Sequence, residues 1–193
     1  MADPRISSVL SGRDRFLILA FVLVNVAVIL GVVLLRGSDD DDSKDSAPKA
    51  PRAGRVVANH AIGARIRKPR GWAAKRGDRS ITLRSPDSTT IMSISQPPGG
   101  VTNRAVLRDA VTVIEQSYRG VKARPLRGKV AGHRTVSRVV SATNKRGVRL
   151  NILVSAPQGR KRAWLVEVFS GPGARAKRLP EAQVALGTLR LRG

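Results

Sequence analysis

Cysteine is absent from the 193 residues. That excludes disulfide scaffolds, thiolate catalysis, thiolate zinc sites and lipid attachment at a bacterial lipobox. Aromatic residues make up only 3%, which leaves few rings for stacking nucleic-acid bases. Acid is the third scarcity: 13 Asp and Glu stand against 36 Lys and Arg, for a formal charge of +23. Histidine is the fourth, with only His60 and His133. Neither belongs to an H-E-x-x-H spacing or sits beside a carboxylate, so no metal site is expected. His133, next to Gly132 at a strand entrance, reads as a solvated or turn histidine rather than a general base.

The acids beyond residue 50 are Asp78, Asp87, Asp109, Glu115, Glu167 and Glu181. Asp109 and Glu115 fall on one expected helix but are separated by about 600° of rotation, so they do not form a paired-carboxylate site. No G-x-S-x-G elbow, P-loop or G-x-G-x-x-G occurs. Gln96-Pro97-Pro98-Gly99-Gly100 leads into that helix and reads as an ordinary connecting loop. The inventory points away from an enzyme and implies no cofactor.

What the chain does have is an uncharged run, FLILAFVLVNVAVILGVVLL, over residues 16–35. Twenty residues at about 1.5 Å each span the hydrocarbon thickness of a bilayer. The run is longer than a signal-peptide core and no small-x-small cleavage site follows it, so an uncleaved transmembrane helix in the lipid bilayer is expected. Lys and Arg balance across the span: Arg5, Arg13 and Arg15 precede it, and Arg36, Lys44 and Lys49 follow. The acidic flank at Asp39–Asp42 and Asp45 favours a cytoplasmic tail over residues 1–15 and an extracytoplasmic C-terminal part. Residues 36–54 carry Asp, Gly, Ser and Pro with no large apolar residue, the composition of a flexible tether.

Residues 55–193 read as one basic α+β domain. Strands are expected at 61–66, 80–83 and 90–95, separated by Pro and Gly turns. A helix is expected over 103–118, with Leu107, Ala110, Val111, Ile114 and Tyr118 on one stripe, Thr102 or Asn103 as its cap, and Gly120 at its C′ position. Strands follow at 134–142, 148–155 and 163–169, then a helix over 180–186 and a strand over 188–191. This order implies helices packed on an antiparallel sheet. Trp72 and Trp164, among few large core fillers, are expected to be buried.

The stretch Ile66-Arg67-Lys68-Pro69-Arg70-Gly71-Trp72 resembles the short strand, proline, glycine and tryptophan signature near the start of PsbP-like domains. EAQVALGTLRL, over residues 181–191, is similar to their closing helix and strand. The resemblance covers roughly residues 56–193. It implies an α-β-α sandwich used as a binding or assembly module, as in photosystem extrinsic subunits and many bacterial envelope proteins. It carries no shared catalytic set, and this chain departs from the family in being far more basic.

Residues 51–193 hold 30 basic residues against those six acids. The candidate anion-binding residues are Arg65, Arg67, Lys68 and Arg70; Lys122, Arg124, Arg127 and Lys129; Arg160, Lys161 and Arg162; and Arg175, Lys177 and Arg178. Arginine outnumbers lysine 27 to 9, and its planar fork suits phosphate and carboxylate oxygens. The expected function is a membrane-anchored, non-catalytic extracytoplasmic module of a bacterial envelope, contacting anionic lipid or acidic polymer, or an envelope protein. The alternatives are a membrane-tethered nucleic-acid binder, served by phosphate contacts, and an enzyme with an unrecognised site.

Overall fold

The computed structural model describes residues 53–98, 102–174 and 177–193. The expected membrane span over 16–35, the expected cytoplasmic tail over 1–15, nearly all of the expected tether and Arg175 lie outside the described residues. Among the described residues no helix is long and apolar enough to cross a membrane.

A hairpin opens the domain. Strand β1 (Ala53–Asn59) pairs antiparallel with β2 (Ala64–Pro69). It starts at Ala53, so Ala53 and Gly54 belong to a strand rather than to the tether expected over 36–54. Residues 60–63 form the turn, so 61–63, expected to open a strand, do not. Gly63 holds a positive φ of 63° there, and a side chain on it would meet the Arg192 carbonyl oxygen. Asn59 pins this turn from below: its amide donates to the carbonyls of Gly77 (2.8 Å) and Ser80 (3.1 Å), and its oxygen accepts from the Ala61 N–H.

Strands β3 (Ala73–Gly77), β4 (Ser80–Arg84) and β5 (Thr90–Ser95) form a meander. Helix α1 (Asn103–Ser117) follows, capped by the Thr102 hydroxyl, which accepts from the Ala105 N–H. Strands β6 (Arg119–Leu126), β7 (Lys129–Val130), β8 (His133–Thr143), β9 (Arg149–Gln158) and β10 (Leu165–Ser170) come next. Helix α2 (Arg178–Gly187) and the short β11 (Arg190–Leu191) complete the chain. The main sheet runs β3-β4-β5-β10-β9-β8-β6, with β7 on β8, and every pairing is antiparallel. A second sheet runs β1-β2-β11, joining strands from the two ends of the domain.

Gly120 does not end α1 as expected. The helix stops at Ser117, and Gly120 lies inside β6 with φ 60°, where the register with β8 slips between Arg119 and Lys122. A left-handed glycine there serves a bulge in a sheet-edge strand.

Two cores lie on opposite faces of the main sheet. On one face α1 sets Val106, Leu107, Ala110, Val113 and Ile114 against Val140, Ile152, Val154, Leu165 and Phe169. On the other, α2 and the inner face of the small sheet pack Ile62, Ile66, Ala182, Ala185 and Leu189 onto Trp72, Ile81, Leu83, Ile94, Trp164 and Val166. The α-β-α expectation is therefore amended: the second face carries a three-stranded sheet beside its helix. Strands β5 and β10 are buried at every position because both of their faces are covered. Trp72 and Trp164 are 1% and 0% exposed; their indole N–H groups donate to Glu181 Oε2 and to the Ile62 carbonyl, each at 2.7 Å.

Candidate functional site

Strand β2 alternates cleanly. Ala64 and Ile66 point into the core, and Arg65 and Arg67 point outward. Pairing with β11 sets Arg190 directly opposite Arg65, and pairing with β1 sets Val56 opposite Arg67. Arg192 is tied to the β1–β2 turn, its N–H donating to the Gly63 carbonyl at 2.8 Å. Arg65, Arg67, Arg190 and Arg192, with Val56 and Thr188, line a shallow groove of about 600 Å³ that contains no acidic residue. Thr188 fixes its floor, accepting from the Arg67 N–H (2.9 Å) and donating to the Ala185 carbonyl (2.7 Å).

Two like charges directly opposite across a strand pair destabilise it. Arg190 relieves part of this by donating to the Gly187 and Leu189 carbonyls at the end of α2. Arg65 and Arg67 remain exposed. An anion laid across the four guanidinium groups would screen their repulsion and accept forked hydrogen bonds.

The other expected residues do not converge on this groove. Lys68 is half-buried and its Nζ donates to the Trp72 carbonyl at 2.6 Å, while Arg70 is exposed in the turn that follows. Lys122 and Arg124 are exposed on β6, Arg127 lies in the next turn, and Lys129 starts β7. Strand β6 ends the main sheet, and its Lys, Arg, Pro125 and bulge are the devices that keep an edge from pairing with another chain. Arg160 and Lys161 are exposed between β9 and β10, and Arg162 is half-buried with Nη1 3.4 Å from Gln96 Oε1. Lys177 is exposed at the cap of α2.

Arg178 is a correction. Its side chain is only 13% exposed, with Nε 2.6 Å from Asp87 and Nη1 3.1 Å from Glu181. It joins the β4–β5 turn to α2, and its charge is already matched. Partial burial pulls the Asp87 pKa upward, but hydrogen bonds from Ser85, Arg178 and Thr89 outweigh it and hold the carboxyl down at about 2.

His133 is a second correction. It is not a solvated turn residue. Its ring nitrogens lie 3.3 Å from the Gln158 carbonyl and 3.1 Å from the Leu191 carbonyl, and the ring sits 5.3 Å from that of Trp164 at 51°. It is a structural link between the two sheets.

Glu167 is one of the six acids beyond residue 50, and nothing beside it in the sequence marks it as buried. It is 1% exposed, and neither carboxyl oxygen has a hydrogen-bond partner. Register places it opposite Ser93 and Val154, on the sheet face that α1 covers. Burial pushes its pKa up to about 7, and burial together with the Glu167 charge pushes Tyr118 up to about 12. Among the described residues no three His, Asp or Glu side chains gather in a metal-binding group.

No family model matches the sequence, and no curated protein matches it. Solved structures do. A protein of Bacteroides thetaiotaomicron aligns over 74% of this chain at 16% identity, with a TM-score of 0.52. This chain spans 50% of the length of that protein. LpqN of Mycobacterium tuberculosis, described as involved in cell envelope biogenesis, aligns over 72% of this chain and 90% of its own, at 11% identity and a TM-score of 0.50. The cyanobacterial PsbP of Synechocystis aligns over 78% and 98% respectively, at 11% identity and a TM-score of 0.48. Identities this low speak to the fold alone. The fold is a mostly antiparallel sheet with two helices, shared with the Bacteroides protein and with LpqN.

Proposed function

We infer that the chain is a single-pass membrane protein whose PsbP-like domain lies outside the cytoplasm and holds anionic envelope components on the outer face of its small sheet. The observation that carries this reading is the placement of Arg65 opposite Arg190 in a groove that also holds Arg67 and Arg192 and is lined by no acid. The arginines are fixed by strand register rather than carried on a loop, so the cationic face exists before any ligand arrives. The twenty-residue apolar run supports the anchor, and the envelope role ascribed to LpqN agrees with the location. The ligand class is phosphate- or carboxylate-bearing: lipid headgroups or acidic wall polymer. Basic residues beside an anionic leaflet gain about 1 kcal/mol each, so four make a functional surface.

Nucleic acid is the runner-up, since phosphate suits the same arginines. It is disfavoured because Trp72, Tyr118, Trp164 and Phe169 are all buried in the two cores, leaving no exposed Trp, Tyr or Phe ring among the described residues to stack a base. A reporter fused to the C-terminus tests location, and protease added to intact cells should remove residues beyond about 36. A cytoplasmic reporter and full protection would reject the envelope assignment.

A further inference from the structure

A second surface, on the opposite side of the main sheet, has a different character. Helix α1 covers β9 and part of β8 and meets β6 near Val121, leaving an open cleft of about 790 Å³ beside the rest of β6. Its floor is apolar, formed by Leu107 and Val111 of α1 with Ala123 and Val136 of the sheet, which register places on the face that α1 covers. It carries four guanidinium groups, from Arg104, Arg108, Arg127 and Arg138, and one lining carboxylate, Glu115; Arg108 also pairs with Asp109 of its own helix, Nε donating to Oδ1 at 3.2 Å.

These groups are ordered along the cleft. Arg104, Arg108, Thr112 and Glu115 follow one another at helical spacing along the flank of α1 that faces it. Glu115 stands about 16 Å from Arg104 along the axis. The N-terminal end of α1 is tied down by the Asn103 N–H on Gln158 Oε1 at 2.7 Å. Val136 and Arg138 pair with Ala156 and Val154, close to that Gln158, so the cleft's arginines gather toward the N-terminal end of α1 and Glu115 stands toward the other end.

We propose that this cleft binds a single acyl chain that carries an anionic head, with the head between Arg104, Arg108, Arg127 and Arg138 and the chain over Leu107, Val111 and Val136. A bare anion would leave the apolar floor in water, and a neutral chain would leave the charges of Arg104, Arg127 and Arg138 without an anion to answer them. The volume is that of a small-molecule site, whereas a protein partner would need a far larger complementary patch. This site is separate from the small-sheet groove and does not depend on it.

The test uses the full chain reconstituted in phosphatidylcholine vesicles containing a small fraction of lysophosphatidic acid whose single acyl chain is photoreactive. Crosslinks are expected at Leu107, Val111, Ala123 or Val136. Dodecyl phosphate should suppress them, with inorganic phosphate and dodecyl maltoside each weaker by roughly tenfold or more. Arg108→Ala with Arg138→Ala should lower the yield roughly tenfold. Ala123→Glu, at an exposed position on the cleft side of β6, should lower it too and guards against a misfolded arginine variant. Arg65→Ala with Arg190→Ala should leave it unchanged. Equal suppression by inorganic phosphate or by maltoside would overturn the proposal, as would stronger suppression by polyglutamate, which would mark a peptide site. Crosslinks lying elsewhere, or unaffected by the cleft variants, would also overturn it.

Discussion

A carboxyl group sealed between a helix and a sheet holds its proton well past the pH at which it loses it in water. Glu167 is in that position beneath α1, with its folded pKa at about 7 against an ordinary 4.5. The folded state therefore binds more protons than the unfolded chain between these values, and stability falls as pH rises through the window. The contribution is fully present below about pH 4.5 and is lost above about 7, a swing of about 3 kcal/mol. Asp87 acts in the opposite sense: its depressed pKa supplies stability above about 4 that fades as pH falls toward 2. Denaturant titrations from pH 3 to 9 should place the maximum near pH 4 to 5. Glu167→Gln should remove the decline above it, and an unchanged decline would show that another group is responsible. Trp164 is the packing counterpart. Trp164→Ala removes a fully buried indole and its hydrogen bond to the Ile62 carbonyl, and should cost about 3–5 kcal/mol in the same titration.

Arginine does two different jobs in different elements. Arg178 links α2 to the β4–β5 turn through Asp87 and Glu181, so Arg178→Ala should lower the melting midpoint while leaving anion binding intact. Arg65 and Arg190 face each other across β2 and β11, so replacing both with Ala should weaken anion binding and leave the midpoint unchanged or raised. A matched pair of binding and melting curves separates the two roles. The sequence displayed these elements unequally. Strands β4, β5, β9 and β10 and helix α1 carry apolar patterns strong enough to be read directly, as the core that they build requires. Strands β3 and β6 are sheet edges with mostly exposed side chains, so no alternation announces them. Half of the arginine groove was legible, since Arg65 and Arg67 stand on an alternating strand. The other half was not, because Arg190 and Arg192 reach it only through pairing between opposite ends of the domain, and no local pattern encodes that register. Arg178 shows the same limit from the other side: a basic cluster in the sequence does not reveal which member is matched by acids brought from a distant turn.

At the scale of the molecule, a sheet covered on both faces separates two arginine-bearing surfaces, one over the small sheet and one beside α1. Its formal charge, +23, attracts any polyanion over a range set by salt. General attraction should respond gradually to many positions: reversing Arg160, Lys161 and Arg162 together should weaken binding by a modest step. A defined face should respond steeply to few. The most direct measurement compares the full chain, held in zwitterionic nanodiscs, with its Arg65→Ala/Arg190→Ala variant for binding to anionic vesicles across a salt series. The account predicts that the native chain binds at low salt, that a few hundred millimolar salt abolishes binding, and that the double variant loses roughly tenfold in affinity at low salt. Equal binding by the two proteins at every salt concentration would contradict it.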